Sequence, residues 1–226
     1  EMTSSLVGSE MCIRDRPGSA WNEMRREALD KLLQKRSEPA PLATKEITLP
    51  EYAEHEVGMT PQLAARFETA AQLPGAEYLA KLRYLILPIR EADAVPQPLR
   101  CKTLLELPRA AFGTVEPDTM RRLAALEGSG FAGVVANNLA QFGYASPLPV
   151  FGGLGLNVTN PMSAAEYVCL GARGLLVQPE TALTAMRAVA PRQKDGTPVP
   201  TAALCYGHLP LMLTRACPLR NVRTSC

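Results

Sequence analysis

The chain has 226 residues, 46% of them hydrophobic and 20% charged, with 24 Lys plus Arg against 22 Asp plus Glu. That is enough apolar material for one or two domains with cores of their own, and the near balance of charge argues against a general nucleic-acid-binding surface. No run of about 18 uncharged apolar residues occurs, so a transmembrane helix is not expected, and six scattered cysteines are too few for a secreted disulfide scaffold, which points to a reduced, cytoplasmic setting.

Residues 1–16 resemble a translated sequencing-adapter string and are expected to stand outside the fold. Glu10 and Asp15 sit where a signal peptide would carry an apolar core and a cleavage site. Residues 17–37 then predict an amphipathic helix: Ser19 is a candidate N-cap, and Trp21, Met24, Ala28, Leu29, Leu32 and Leu33 recur at three- and four-residue steps opposite Glu23, Arg26, Asp30, Lys31 and Gln34. Residues 38–60, with Pro39, Pro41 and Pro50, have no sustained period and read as a linker.

From residue 61 onward the pattern becomes regular. Apolar runs suited to buried strands appear at Leu63–Phe67, Leu82–Ile89, Leu104–Phe112, Gly133–Ala136, Leu154–Val158, Gly174–Val177 and Ala202–Cys205. Helical patterns lie between several of them, at Glu116–Glu127, Ser163–Leu170 and Pro179–Val189. Strands alternating with helices predict parallel pairing and an α/β fold. Seven strands over 61–226 suggest an incomplete (β/α)8, TIM-like barrel ending in a Cys-rich loop; an open doubly wound sheet fits the pattern as well.

In such a fold the loops after the strands form the active face. The strand exits carry Arg109, Asn137 with Asn138, Asn157 and Asn160, Gln178-Pro179-Glu180, Tyr206 and Arg215. Asparagines at these places serve equally well as caps of helices and turns. Gly152-Gly153-x-Gly155 lacks a following Lys-Ser/Thr and reads as a tight turn rather than a phosphate loop. No His-Glu-x-x-His or Gly-x-Ser-x-Gly occurs; His55 falls in the linker, and a His208–Cys217 pair has no geometry that spacing dictates. Cys101 and Cys169 have apolar or helical neighbours and Cys205 ends an expected strand, so all three are expected to be structural. Cys217, by contrast, stands among Arg215, Arg220 and Arg223, whose charge favours the thiolate that binds metals or attacks electrophiles; a small buried hydrophobe is the plainer reading, and a disulfide with Cys226 a third.

The stretch Tyr206-Gly207-x-Leu209-Pro210-Leu211-Met212-x-Thr214-Arg215-x-Cys217-Pro218 resembles the signature near the end of long collagenase-like proteins of the peptidase U32 family, which carry a second barrel-like domain. Asn22-x-x-Arg25-Arg26-Glu27-Ala28-Leu29 is similar to the helix that ends that family's first barrel. Gly155-Leu156-Asn157-Val158-x-Asn160 and Leu176-Val177-Gln178-Pro179-Glu180 resemble its strand-end motifs, with Gln178 where the family more often has Ser.

The resemblance implies an accessory barrel truncated at Cys226, where the first cysteine of the family's Cys-x-x-Cys is placed, with the eighth strand beyond it. It further implies that Cys217 and Cys226 are ligands of an iron-sulfur cluster, or alternatively zinc, in the intact protein. Two ligands are not enough, so the fragment alone is expected to hold no metal and not to be catalytic. The implied partners are the N-terminal barrel of the same chain and RNA, with no membrane. Without that barrel, helix 17–37 is expected to pack loosely. The implied function is to assist hydroxylation of RNA bases or of a quinone precursor. The alternatives are a collagenase-like peptidase and a non-catalytic binding or dimerisation module. Arg109, Asn137, Asn157, Asn160, Glu180, Tyr206 and Arg215 are the substrate-facing candidates, and Asn137, Asn157, Glu180 and Tyr206 are expected at one rim of the sheet.

Overall fold

The computed structural model of the protein describes residues 18–39, 46, 60–144, 147–210 and 212–214, in two units that divide the chain at residues 1–50 and 51–226. The first unit holds α1, Gly18–Ser37. Its interior carries no Pro or Gly. Glu27 and Lys31, four residues apart, pair at 2.6 Å, and Lys35 and Arg36 in the last turn complement the helix dipole. Glu38 N still donates to Gln34 O at 3.0 Å before Pro39, which has no N–H to give, stops the pattern. The helix starts ahead of Ser19, which therefore does not cap it, and none of its residues is buried.

The second unit holds seven strands among the described residues: β1 Leu63–Arg66, β2 Leu82–Pro88, β3 Thr103–Glu106, β4 Gly133–Ala136, β5 Val150–Gly152, β6 Ala172–Val177 and β7 Thr201–Ala203. All neighbours pair in parallel, and their order along the sheet is their order in sequence. A doubly wound sheet reverses its strand order at a switch point. Here each new strand adds to the same edge, which is barrel winding. The sheet is curled accordingly: Tyr84 on β2 and Phe151 on β5 meet ring to ring across the concave side, with centroids 5.6 Å apart. β1 and β7 are not paired with each other among the described residues, so the fold is an incomplete α/β barrel.

Helices cover the convex side. These are α2 Ala76–Leu79, α3 Gln97–Arg100, α4 Val115–Ala125, α5 Pro161–Cys169 and α6 Leu183–Ala188. Leu123 and Leu126, from α4 and the turn after it, pack with Leu87, Leu105, Leu107 and Val134 in one core cluster. Ala164 of α5 packs with Leu156, Val158, Leu175, Val177 and Val189 in a second. Leu123 is fully buried, so Leu123→Ala is expected to lose about 2–5 kcal/mol through lost transfer energy and the cavity left behind. A urea-unfolding series on the full chain checks this, and a loss under about 1 kcal/mol would mean that α4 is not seated on the sheet.

Inside the curl, Phe151 lies between two glycine positions. A Cβ on Gly133 of β4 would come within 2.8 Å of its ring, and one on Gly174 of β6 within 2.7 Å. The small residues of the flanking strands thus make room for one large ring, as barrel interiors with alternating small and large side chains do.

Two expected elements lie elsewhere. The run Leu154–Val158 is not the fifth strand. Residues 154–156 form a 3-10 turn that drops Leu156 into the second core, Asn157 takes the left-handed conformation at φ 52°, and Val158 keeps a single bridge to Val177. The strand is Val150–Gly152, confined between Pro149 and Gly153. The third strand ends at Glu106, well short of Phe112, because Pro108 follows closely; Leu107 is nonetheless buried.

Candidate functional site

Parallel strands put every strand exit on one rim. Arg109 follows β3, Asn137 and Asn138 follow β4, Asn157 follows the turn after β5, Glu180 follows β6, and Tyr206 follows β7. Arg109, Asn137, Asn138, Asn157, Tyr167 and Leu213 line a cavity of about 390 Å³ on this rim. Leu213 comes from the segment after β7, which turns back across the rim: Arg109 Nη1 donates to Pro210 O at 3.4 Å, over 101 residues of sequence.

Asn137 is the structural centre. It is 4% exposed. Its Nδ2 donates to Glu106 Oε1 and to Leu107 O, both at 3.3 Å, and its Oδ1 accepts from Gly155 N at 3.2 Å. Its own backbone N donates to Gln141 Oε1 at 2.7 Å, and Gln141 Nε2 donates on to Pro108 O at 2.6 Å. The side chain therefore spends both amide hydrogens inside the protein. The Gly-rich stretch explains itself here: a Cβ on Gly153 would lie 2.4 Å from Asn137 Oδ1, and one on Gly155 2.1 Å from Asn137 O. These glycines allow the β5 loop to lie directly on Asn137, which is close backbone approach rather than phosphate binding.

Of the sequence candidates, Arg109, Asn137 and Asn157 come together at the cavity. Asn160 instead caps α5, its Oδ1 accepting from Ser163 N at 2.9 Å, and it does not line the cavity. Glu180 and Tyr206 stand exposed at the rim, Tyr206 at 96%, and neither lines the cavity. Arg215, Cys217 and Cys226 lie outside the described residues. Cys101, Cys169 and Cys205 are exposed free thiols. Among the described residues no three His, Cys, Asp or Glu groups come together to hold a metal ion. No helix of the described residues is long and apolar enough to cross a membrane.

Sequence reasoning missed Glu106 and Arg66. Glu106 closes the C-terminal end of β3, accepting from Arg66 Nε at 2.7 Å as well as from Asn137. Burial opposes the Arg66 charge, but the carboxylates of Glu106 and then Glu68 outweigh it and hold the guanidinium pKa above its ordinary value. A lone carboxylate at the end of an otherwise apolar strand was the available signal. Tyr167 was also missed as a lining residue; it sits on α5, with its hydroxyl donating to Leu156 O at 3.0 Å.

Further along the rim, Glu68 bonds Arg90, and the pairing depresses the Glu68 pKa below the ordinary 4.5. A depressed carboxylate pKa contributes stability that is present above the unfolded value and is lost as pH falls through the folded one. The stability difference between wild type and Glu68→Gln is therefore expected to be at most about 1 kcal/mol at pH 7, since both partners are largely exposed, and to be smaller at pH 3. Urea midpoints at the two pH values check this. A gap that widens on acidification would contradict the pairing.

No family model matches the chain, and no curated protein matches it in sequence. Among solved structures the chain is similar to the U32 peptidase Mk0906, with 13% sequence identity and a TM-score of 0.41 over 62% of this chain and 71% of that one.

Proposed function

We propose that this chain is the accessory barrel of a U32-like iron-sulfur protein, with the C-terminal rim as its working face. The observation that carries the reading is the path of the chain after β7. It crosses the rim through Pro210, held by Arg109, and through Leu213 in the cavity wall, four residues ahead of Cys217 in sequence. The Cys-Pro stretch thus follows directly on the segment that closes the rim cavity.

In this reading Cys217 and Cys226 supply two thiolates, and the remaining ligands come from elsewhere in the intact protein, since the described residues offer no metal-binding group of their own. A cluster held there supplies electrons, or zinc a structural tie. This chain's own part is to hold the rim shape through Asn137 and to present Arg109 toward a ligand. Arg215, Arg220 and Arg223 add positive charge suited to the phosphates of RNA. The reaction served is hydroxylation of an RNA base or of a quinone precursor, with the N-terminal barrel of the same chain as partner and the cytoplasm as its place.

Anaerobic purification of the full-length protein, followed by iron, sulfide and zinc assays on wild type and Cys217→Ala, tests the assignment. Iron with sulfide is expected in wild type and is expected to fall by at least about half in the variant, because a cluster usually needs four thiolates. Metal content unchanged by the substitution overturns it. So does gelatin cleavage that survives Cys217→Ala in metal-free protein, which would favour the collagenase-like alternative.

A further inference from the structure

The side chains around the rim cavity have part of their hydrogen bonding decided by the fold, and what remains is of one kind. Asn138 Oδ1 accepts from Ala140 N at 2.9 Å. A backbone N–H can only donate, so the amide is oriented, and its Nδ2 is left without a partner among the described residues. Asn157 Oδ1 accepts from Gln178 Nε2 at 2.7 Å, which leaves the Asn157 Nδ2 likewise. Arg109 commits one N–H to Pro210 O and pairs with no acid among the described residues. No Asp or Glu among the described residues lines the cavity. The wall thus offers a guanidinium and two amide N–H groups with no opposing charge, next to apolar surface from Leu139 and Leu213. At about 390 Å³ the cavity is also within the size range of small-molecule sites.

We infer that the rim cavity binds a small organic oxyanion, a carboxylate or a phosphomonoester, through Arg109, Asn138 and Asn157, with its apolar body against Leu139 and Leu213. A planar guanidinium matches such an anion with two parallel N–H bonds, and hydrogen bonds to ionised oxygens are about twice as strong as neutral ones. A neutral ligand of the same shape forgoes that term. The inference uses only the described rim and stands independently of the proposed cluster.

Titration calorimetry on the full chain tests it with three probes that share one ring: benzoate, phenyl phosphate and benzamide. Saturable binding of benzoate, phenyl phosphate or both is expected, and whichever binds more tightly identifies the anion class. Benzamide, of nearly the same shape but uncharged, is expected to bind at least about tenfold more weakly. Asn138→Asp keeps the oxygen that accepts from Ala140 while placing a negative charge on the wall, so it is expected to lower anion affinity by about tenfold or more without loss of thermal stability. Arg109→Gln is expected to do the same. Asn160→Asp, which retains its cap on α5 outside the cavity, is expected to bind like wild type. The inference is overturned if neither anion saturates, if benzamide binds as well as benzoate, or if Asn138→Asp and Arg109→Gln both leave affinity unchanged.

Discussion

Gly155→Ala is expected to destabilise the barrel by about 3 kcal/mol or more, at the upper end of what an added methyl does in a packed interior. The added Cβ would stand 2.1 Å from Asn137 O and 3.0 Å from Asn137 C, both backbone atoms directly after β4 that cannot rotate aside. Gly174→Ala is the comparison that tests this logic. There the obstacle is the Phe151 ring, 2.7 Å from the new Cβ, and a ring is the movable part of a side chain. Gly174→Ala is therefore expected to cost less, about 1–3 kcal/mol, and to be partly rescued by Phe151→Leu, which vacates the space. Gly155→Ala has no such rescue. Urea unfolding of the three variants and the double variant decides between these outcomes. A Gly155→Ala chain within about 1 kcal/mol of wild type would mean that the β5 loop does not rest on Asn137.

The same contact shows why the fifth strand was hard to read from sequence. Leu154-Gly155-Leu156 looks like the apolar run of a strand, and Val150-Phe151-Gly152 looks like a fragment between turn residues. The structure reverses the roles, because Phe151 fills the barrel interior while Leu156 is apolar in order to reach the second core from a 3-10 turn. At Leu82–Pro88 and Gly133–Ala136 the strands and their parallel type were legible, but their order in the sheet was not, because alternating strands and helices fit a doubly wound sheet as well as a barrel.

At the rim, legibility followed the source of each side chain. Asn137 follows β4 directly, Arg109 stands in the loop after β3 and Asn157 after the turn that follows β5, so a reading of strand exits reaches all three. Tyr167 reaches the cavity from a helix, and Glu106 is the last residue of its strand, so a reading of exits passes over both. Asn160 and Asn157 looked equivalent in sequence. Only the backbone separates them: Asn160 precedes a helix and caps it, whereas Asn157 is left-handed and lines the cavity.

Asn137→Asp is expected to be among the most damaging isosteric changes in the chain, and its cost is expected to depend on pH in a direction that identifies the cause. The native amide donates to Glu106 Oε1 and to Leu107 O at 3.3 Å. A carboxylate of the same shape would face that carboxylate and that carbonyl with no hydrogen to offer, in a place only 4% exposed. Like charge and burial both disfavour its ionised form, so its folded pKa would rise above the ordinary value of about 3.9. A group with a raised folded pKa leaves stability intact below the unfolded value and removes it as pH climbs through the folded one. The deficit relative to wild type is thus expected to be small near pH 4 and to reach about 3 kcal/mol or more at pH 7, the scale of an uncompensated buried charge. Glu68 and its arginines are common to both proteins, so their titration cancels in the difference. Asn137→Leu separates the charge from the lost hydrogen bonds: it leaves Gly155 N and Leu107 O unpaired and adds no ionisable group at position 137. Its deficit is expected to be about 2–4 kcal/mol and to vary far less with pH. Unfolding free energies of wild type and both variants at pH 4 and pH 7 supply the test. An Asn137→Asp deficit equal at the two pH values would show that the Glu106 carboxylate does not face position 137, and the rim network built on that contact would have to be redrawn.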